Sequence, residues 1–255
     1  MIDVKNISKT FQDNIVLKGV SYTIKKGMCN LVIGQSGSGK SVFLKSVVGL
    51  HNVDSGEILF DGRDTTKMGS KELKNLRKEI GMVFQGGALF NSSTLEENVR
   101  YPLDMFTKMT NGEKQKRIDY CLDHVHIENA HKLFPSEISG GMQKRVAIAR
   151  AIALNPKYLF FDEPNSGLDP VTAIVIDNLI QDITKELNVT TLVITHDMNS
   201  VMEIGENIMY VYQGHQWWKG SKKEIFNTDN PELNNFVFAS DLFKAVKKSN
   251  DPLLK

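Results

Sequence analysis

The feature that most constrains the fold is a glycine-rich octapeptide between an apolar run and a helical pattern. The apolar run covers residues 28–33, and the octapeptide from Gly34 to Ser41 reads Gly-Gln-Ser-Gly-Ser-Gly-Lys-Ser. Apolar residues then recur at helical spacing to residue 50. A strand, a glycine loop and a helix in this order turn backbone N–H groups and the positive end of a helix dipole towards one point. The octapeptide therefore predicts a phosphate-binding site.

The octapeptide fits G-x-x-x-x-G-K-[ST], the phosphate loop of nucleotide-hydrolysing proteins. Lys40 is predicted to reach the β- and γ-phosphates as a point charge, and the Ser41 hydroxyl to ligate Mg²⁺. Contacts with the phosphates are also assigned to the preceding loop residues, which are Gly34, Gln35, Ser36, Gly37, Ser38 and Gly39. The motif therefore predicts that a nucleotide and Mg²⁺ bind here.

Two carboxylates end a second apolar run. Residues 158–161 read Tyr-Leu-Phe-Phe, and Asp162 and Glu163 follow them. Ligands bind at the carboxyl ends of the strands of a parallel sheet, so we expect this pair beside the phosphates. Phosphoryl transfer depends on positioning and on charge neutralisation. We therefore predict that Asp162 holds Mg²⁺ through a water molecule and that Glu163 polarises the attacking water.

Strand and helix patterns alternate along most of the chain. Strands are predicted at 157–161, 190–194 and 208–212, and helices at 142–154 and 170–187. Short strands are predicted up to residue 24, whereas helical patterning dominates residues 86–155. This alternation predicts an α/β protein with a mostly parallel sheet and a helical insertion.

Composition excludes several classes of protein. The 31 Lys and Arg residues nearly balance the 30 Asp and Glu residues, and a formal net charge of +1 disfavours a nucleic-acid binder. No apolar run approaches the roughly 18 residues of a membrane-spanning helix, and we expect no signal peptide. The two cysteines, Cys29 and Cys121, are far apart in sequence, which fits a reducing cytosol rather than a disulfide framework or a metal site.

Further motifs occur in the order that is found in ABC ATPases. Residues 138–143 read Ile-Ser-Gly-Gly-Met-Gln and resemble the LSGGQ signature of that family. Gln85 resembles the Q-loop glutamine, residues 166–169 resemble the D-loop, and His196 resembles the switch histidine. Phe11 stands where an aromatic residue stacks on adenine in that family. The resemblance extends to about residue 226 of this chain.

The resemblance implies a role for each motif in the hydrolysis of ATP to ADP and phosphate. Gln85 is expected to contact Mg²⁺ and to sense the transport domain, and His196 to hold the γ-phosphate and the water beside Glu163. In this family the signature, here Ser139, Gly140 and Gly141, binds the ATP of the opposite subunit. Asp169 of the D-loop, which contacts the partner, is also expected at the nucleotide. Two chains would thus enclose two ATP molecules head to tail.

The family fold is a P-loop NTPase with a RecA-like core, an N-terminal antiparallel β subdomain and a helical subdomain. In this chain the ATPase domain is expected at residues 1–228, with the helical subdomain inserted at about 87–155. The resemblance implies a peripheral subunit on the cytoplasmic face of the inner (plasma) membrane, attached to integral membrane permease subunits.

Two details resemble the ATPases of MCE-type, Mla-like lipid transporters. Met142 replaces the signature glutamine, and residues 166–173 read Ser-Gly-Leu-Asp-Pro-Val-Thr-Ala. The expected substrate is then a phospholipid or another hydrophobic molecule, and the expected partners include an MCE-domain protein and a small accessory cytoplasmic subunit. The alternatives are an importer motor for a small polar solute and a soluble ABC ATPase acting on ribosomes or DNA. A small-molecule kinase is disfavoured, because it needs no signature motif.

The last segment, residues 229–255, carries apolar residues near helical spacing. They are Leu233, Phe236, Val237, Phe238, Leu242, Phe243 and Val246. The segment is either a helix that packs on its own domain or a helix that docks on a neighbouring subunit, and the second alternative is our hypothesis.

Overall fold

The computed structural model describes residues 1–239 and residue 244. Backbone contacts divide the chain into two compact units. The first unit comprises Met1–Lys25, Cys29–Thr66 and the chain from Ile194 onwards, and the second comprises Lys26–Met28 and Lys67–Val193.

The helices and strands of the described residues are named in chain order. In the first half they are β1 (Ile2–Phe11), β2 (Asn14–Ile24), β3 (Cys29–Ile33), α1 (Lys40–Val47), β4 (Ser55–Phe60), β5 (Arg63–Asp64), α2 (Ser70–Arg77), β6 (Ile80–Val83), α3 (Leu95–Phe106) and α4 (Asn111–His124). In the second half they are a 3₁₀ turn (Pro135–Glu137), α5 (Gly140–Ile152), β7 (Tyr158–Asp162), α6 (Pro170–Glu186), β8 (Thr190–Thr195), α7 (Met198–Ile204), β9 (Asn207–Tyr212), β10 (His215–Gly220), α8 (Lys222–Phe226) and α9 (Pro231–Val237).

An antiparallel sheet forms much of the first unit. Its strands lie in the order β2-β1-β4-β5, and the pairs β1–β2, β1–β4 and β4–β5 are all antiparallel. A tight turn joins β1 to β2, and Gln12 adopts a φ of 53° there. Ile2, Val4 and Ile7 of β1 are buried, so the apolar side chains of β1 form part of the core.

The remaining strands of the first unit lie in the order β10-β9-β3. β3 and β9 are parallel, with Leu31 opposite Ile208, and β9 and β10 are an antiparallel hairpin. All five residues of β3 are buried, as expected for a strand covered on both faces. This buried strand leads directly into the glycine loop and α1.

The second unit combines β6, β7 and the first four residues of β8, in the strand order β8-β7-β6, with helices α2 to α6. β6 and β7 are parallel, and α3, α4 and α5 contact one another. Helix α5 runs so close to β6 that a Cβ atom on Gly81 would lie 2.3 Å from the carbonyl oxygen of Ala151. Only glycine permits this approach of helix to strand.

The predicted P-loop α/β fold is confirmed, although several elements differ from their predicted form. β1 and β2 are long strands of 10 and 11 residues rather than short ones. Helices α2 and α7 were not predicted, because α2 buries only Leu76 and α7 spans only seven residues. Helices α3, α4 and α5 lie in the predicted helical region, but the boundaries of the domains stay predictions.

The described part of the C-terminal segment packs on its own chain. Leu233, Val237 and Phe238 are buried, and α9 ends at Val237. Leu242, Phe243 and Val246 lie outside the described residues. Docking of this segment on a neighbouring subunit therefore stays a hypothesis. Among the described residues, no helix has both the length and the apolar character needed to cross a bilayer.

Candidate nucleotide-binding site

The glycine loop of the first unit is shaped by residues in unusual backbone conformations. Gly34 and Gly39 have φ values of 151° and 106°, which disfavour residues with a side chain. A Cβ atom on Gly34 would also lie 2.3 Å from the carbonyl oxygen of Val211. The loop therefore depends on glycine at the point where it leaves β3.

Lys40 is held inside this loop by its own backbone. Its Nζ donates hydrogen bonds to the carbonyl oxygens of Gly34 at 2.8 Å and Gln35 at 2.9 Å, and the residue is only 6% exposed. Lys40 is also the first residue of α1, which has no acidic residue in its first turn. A positive side chain and the positive end of a helix dipole therefore share one place, which suits a phosphate group.

The chemistry of the loop also fits a nucleotide phosphate. The Ser38 hydroxyl is buried and has no hydrogen-bond partner among the described residues. A buried polar atom of this kind usually has a partner, so this hydroxyl is available to a phosphate oxygen. Ser41 follows Lys40 in the first turn of α1, where its hydroxyl group is suited to a hard cation such as Mg²⁺.

Two other predicted site residues belong to the first unit. Phe11 is the last residue of β1 and is 39% exposed, so it is not a core residue. Its ring meets the ring of His51 edge-on at 5.2 Å, and Lys9 Nζ lies 5.3 Å from the ring centre. His196 directly follows β8 and is exposed. Asp197 then caps α7 by accepting a hydrogen bond from the Asn199 N–H at 2.8 Å.

The acidic pair of the second unit lies at the end of β7. Asp162 is the last residue of that strand and is 7% exposed, and Glu163 is half-buried. The backbone of Glu163 has a φ of 50°, a left-handed conformation that few residues other than glycine adopt. Such conformations concentrate at functional sites, where surrounding structure holds them in place.

The predicted signature motif begins α5. Ser139 is the N-cap, and its Oγ accepts a hydrogen bond from the Met142 N–H at 3.2 Å. Gly140 is exposed, whereas Gly141 is buried so tightly that a Cβ there would lie 2.5 Å from Cγ2 of Thr172. The N-terminal turn of α5 contains no acidic residue. This helix start therefore presents a hydroxyl group and a positive dipole end to an anion.

Asp169 has a local structural role at the start of α6, and its role at the nucleotide stays a prediction. It caps α6 by accepting hydrogen bonds from the backbone N–H groups of Val171 at 3.1 Å and Thr172 at 3.0 Å. The Thr172 hydroxyl and these backbone N–H groups lower the pKa of Asp169 below its ordinary value. Asp169 is thus ionised at neutral pH.

Gln85 follows β6 and makes two hydrogen bonds within the second unit. Its side-chain Nε2 donates to Ser166 Oγ of the predicted D-loop at 3.1 Å. Its backbone carbonyl oxygen accepts a hydrogen bond from Nζ of Lys144 in α5. Burial lowers the pKa of Lys144 from its ordinary value. The three predicted motifs around Gln85, Ser139 and Ser166 therefore belong to one connected part of this unit.

The sequence pattern alone indicates no role for Lys144 and Arg150, two basic residues of α5. Arg150 donates to the carbonyl oxygens of Gly87 and Ala88, each at 2.9 Å. Basic residues on a helix usually indicate a solvated face. The only signal in the sequence was that both residues follow the signature motif on the same helix.

The predicted site residues are divided between the two units. The first unit contains Phe11, Gly34 to Ser41 and His196, and the second contains Gln85, Ser139 to Gly141, Asp162, Glu163 and Asp169. Each unit contributes one helix start that suits an anion, at Lys40 in the first unit and at Gly140 in the second. No group of three or more metal-ligating side chains of His, Cys, Asp or Glu is present among the described residues.

Comparisons with known proteins agree on one family. The family model described as "ABC transporter" matches residues 17–166. The chain is 37% identical over 236 residues to the probable ribonucleotide transport ATP-binding protein mkl of Mycobacterium leprae, covering 92% of this chain and 68% of that protein. The mkl proteins of two other mycobacterial sources are covered over 66% of their length. The chain therefore spans about two thirds of these relatives.

Two further relatives have other named substrates. The methionine import ATP-binding protein MetN of Campylobacter jejuni is 37% identical over 257 residues, covering 94% of this chain and 76% of that protein. The intermembrane phospholipid transport system ATP-binding protein MlaF of Haemophilus influenzae is 34% identical over 237 residues. That match covers 93% of this chain and 90% of MlaF.

Solved structures of similar fold include a dimer. The bacterial ABC transporter cassette MJ0796, in a dimeric post-hydrolysis state bound to ADP and Pi, has a TM-score of 0.80 and 35% identity. The match covers 87% of this chain and 98% of the MJ0796 chain. CbiO1 of Clostridium perfringens, part of the ABC transporter complex cbiONQ, has a TM-score of 0.83 and 29% identity. That match covers 96% of this chain and 98% of the CbiO1 chain.

Proposed function

Because the chain belongs to the ABC transporter family and is one of its ATPase subunits, we propose that it powers a membrane permease for a phospholipid or another hydrophobic substrate. The geometry of the glycine loop is the observation that best supports the ATPase activity. Its buried Lys40, its positive helix end and the buried Ser38 hydroxyl form a cradle for phosphate groups. The substrate is a finer proposal, which rests on the signature and D-loop sequences.

The residues of the loop bind and orient the nucleotide in this proposal. Lys40 neutralises charge on the β- and γ-phosphates, while the N–H groups of Gly34 to Ser41 surround them. Phe11 offers its exposed ring to the adenine base. A bound Mg²⁺ supplies further charge neutralisation, and Ser41, Gln85 and Asp162 are the residues that would hold it.

Hydrolysis needs a base that orients water. Glu163 takes this role, because its carboxylate directly follows the end of β7 and its backbone is fixed in a left-handed conformation. His196 holds the γ-phosphate and helps to orient the water. In this proposal Asp162 would help to bind the metal ion, and Glu163 would orient the attacking water.

A second copy of the chain completes the working form. Ser139, Gly140 and Gly141 present a helix N-terminus that can bind the ATP of the opposite subunit. The dimeric MJ0796 cassette supports this arrangement. The chain would then be peripheral to the cytoplasmic face of the inner (plasma) membrane, where integral permease subunits hold the dimer. Nucleic acid is not a proposed partner.

Two observations support a hydrophobic substrate. The signature reads Ser-Gly-Gly-Met and residues 166–173 read Ser-Gly-Leu-Asp-Pro-Val-Thr-Ala, and both segments resemble those of the Mla-like ATPases. The match to the phospholipid transport protein MlaF covers 90% of that relative, against 76% for the MetN relative and 68% for mkl. Under this proposal an MCE-domain protein and a small accessory cytoplasmic subunit belong to the same complex.

Import of a small polar solute is the second candidate. It is favoured by the identity of 37–38% to the methionine import proteins MetN, which is slightly higher than the 34% identity to MlaF. The third possibility from the sequence, a soluble ABC ATPase acting on ribosomes or DNA, receives no support, since the relatives named here are transport proteins.

The deciding experiment is purification of the complex from detergent-solubilised native membranes through a tag on this chain. The copurified proteins are identified by mass spectrometry, and bound lipid is extracted and analysed. A permease together with an MCE-domain protein and phospholipid is the expected result. A permease with a solute-binding protein for an amino acid would replace the lipid proposal by the second candidate.

A further inference from the structure

The loop that follows β6, from Phe84 to Ala88, is fastened to helix α5 by two basic side chains. Lys144 Nζ donates to the carbonyl oxygen of Gln85. Arg150 donates to the carbonyl oxygens of Gly87 and Ala88, both at 2.9 Å. Three carbonyl groups of this short loop therefore accept hydrogen bonds from cations of one helix. Hydrogen bonds from charged donors are stronger than those between neutral groups.

Packing brings the loop onto the same face of α5. A Cβ atom on Gly87 would lie 3.7 Å from Cβ of Ala147, so the loop backbone rests on a small side chain between Lys144 and Arg150. Gly87 itself is buried and its N–H donates to the carbonyl oxygen of Phe84 at 2.8 Å, which closes a turn. The loop is thus a compact turn seated on the helix.

Gln85 is held by hydrogen bonds at both its main chain and its side chain. Lys144 holds its main-chain carbonyl group, and Ser166 accepts a hydrogen bond from its side-chain amide at 3.1 Å. Lys144 is only 7% exposed, although Gln85 is exposed. A lysine that is removed from water and aimed at a backbone carbonyl group has little freedom of its own. Its position therefore limits where Gln85 can be.

We propose that Lys144 is a positioning residue for Gln85 and that, with Arg150, it makes the Q-loop and the signature helix α5 move as one body. Ser139 caps the N-terminus of α5, and Lys144 lies in the second turn of the same unbroken helix. A displacement of Gln85 therefore reaches Ser139 through a single helix. Lys144 itself does not touch the nucleotide in this proposal.

The inference rests on the proposed function, because Gln85 matters for hydrolysis only if the chain is an ATPase that uses Gln85 at the metal. When a residue that hydrogen-bonds to a metal-ligating residue is removed, the activity commonly falls by about 10-fold or more. Replacing Lys144 by methionine keeps the length and the apolar stem of the side chain but removes its donor.

The experiment compares Lys144→Met with Lys144→Arg and with Arg145→Met in the full-length chain. Arg145 is the matched control, because it is the next residue of α5 and donates instead to the carbonyl oxygens of Val125 at 3.3 Å and His126 at 2.8 Å. We expect Lys144→Met to lower kcat about tenfold with little change in KM for ATP. Lys144→Arg should restore most of kcat, and Arg145→Met should leave it near that of the original chain.

A second readout does not depend on activity. Hydrogen exchange of the peptide that contains residues 84–89 is measured on the protein without nucleotide, together with the melting temperature. We expect faster exchange in Lys144→Met than in Arg145→Met, at similar melting temperatures, because the turn closed by Gly87 N–H opens more often. Arg150→Met should also speed this exchange, since it removes the second attachment of the loop.

Each outcome decides one question. Equal kcat and equal exchange in Lys144→Met and Arg145→Met would overturn the positioning role. A fall in kcat that occurs together with a large fall in melting temperature, and without rescue by Lys144→Arg, would also overturn it, since that is the result of a purely structural residue. If no variant and not even the original chain hydrolyses ATP, the proposed function fails, while the exchange data still test the attachment of the loop.

Discussion

At the scale of single residues, the proposed chemistry depends on a few side chains whose positions follow from local backbone geometry. Glu163 comes directly after the buried end of β7, and its left-handed backbone fixes the direction in which its side chain leaves the main chain. Lys40 is held inside the phosphate loop by carbonyl groups of that loop. Neither residue is placed by long-range packing alone.

Substitution of Glu163 by glutamine should separate ATP binding from hydrolysis. The amide keeps the size of the side chain but cannot accept the proton of the attacking water, so we expect hydrolysis to slow by about 100-fold or more. Affinity for ATP should remain, because Lys40 and the loop glycines are unchanged. Phosphate release and nucleotide binding are measured on the same preparation. The same change at the exposed residue Glu203 is the control, and near-normal turnover of Glu163→Gln would contradict the proposed base.

Cys121 should be unreactive in the folded protein. Burial raises the pKa of its thiol to about 11, and Cys29 is buried as well. We expect no modification of either residue by a thiol reagent at a pH of about 8 until urea unfolds the chain, whereas Ser70→Cys, on an exposed position, should react at once. Rapid modification of Cys121, located by mass spectrometry of the digested protein, would show that α4 opens readily.

The raised pKa of Cys121 also makes the stability of the folded chain depend on pH in a definite direction. The thiol is harder to ionise in the folded state than at its ordinary pKa of 9.0, so the unfolded chain releases this proton first. The contribution of Cys121 to stability is present in full below pH 9.0 and is lost as the pH rises towards about 11. Cys121→Ala should therefore unfold with a weaker pH dependence in that alkaline range.

At the scale of helices and strands, close approaches of backbone determine which residues are tolerated. α5 lies against β6 at Gly81, against the following loop at Gly87 and against α6 at Gly141. These contacts place the signature motif, the Q-loop and the start of α6 together within the second unit. The glycines are therefore part of the packing and not simply turn residues.

Substitution of Gly81 by alanine tests this packing. The added Cβ would lie 2.3 Å from the backbone oxygen of Ala151, so strand and helix must move apart, and we expect a loss of about 1–3 kcal/mol in the free energy of unfolding. Gly112→Ala is the matched control, because nothing lies within 4 Å of its Cβ position and the residue is in helix α4. That change should stabilise the chain by up to about 1 kcal/mol. Urea unfolding of both variants measures the difference, and similar stabilities would contradict the close approach.

The elements that were predicted best are those whose sequence pattern has a local cause. The phosphate loop, the strand before Asp162 and the helix after Gly140 each carry a motif that needs a particular turn or helix start. Helix α2 was missed because its surface is almost wholly polar, so no apolar stripe marks it. The role of Lys144 was missed because its partner is a backbone carbonyl group 59 residues away in the chain, and no side-chain pattern records such a contact.

At the scale of the whole molecule, the family and the dimeric structure of the similar cassette MJ0796 support the proposed head-to-tail dimer. The signature residues support this proposal, because a helix N-terminus with an exposed serine and glycine has no anion to bind within its own motif. A second chain would bring that anion as part of its nucleotide.

A negative charge at the signature should therefore prevent dimer formation. Ser139→Glu places a carboxylate where a phosphate group is expected, and like charges repel. In the Glu163→Gln background, ATP should produce a dimer that is visible by size-exclusion chromatography with light scattering, and Ser139→Glu should abolish it while ATP binding persists. Ser136→Glu, at an exposed position just before the signature, is the control. A dimer that survives Ser139→Glu would exclude this arrangement.

The exposed ring of Phe11 has a consequence for nucleotide preference. A phenyl ring offers a flat apolar face but neither donates nor accepts hydrogen bonds, and every nucleobase has a face that can stack on it. A site that holds the base only in this way cannot distinguish adenine from guanine by their edges. We therefore expect GTP to be hydrolysed at a rate close to that of ATP in purified protein. In the cell, the relative concentrations of ATP and GTP would then determine which of the two nucleotides is hydrolysed.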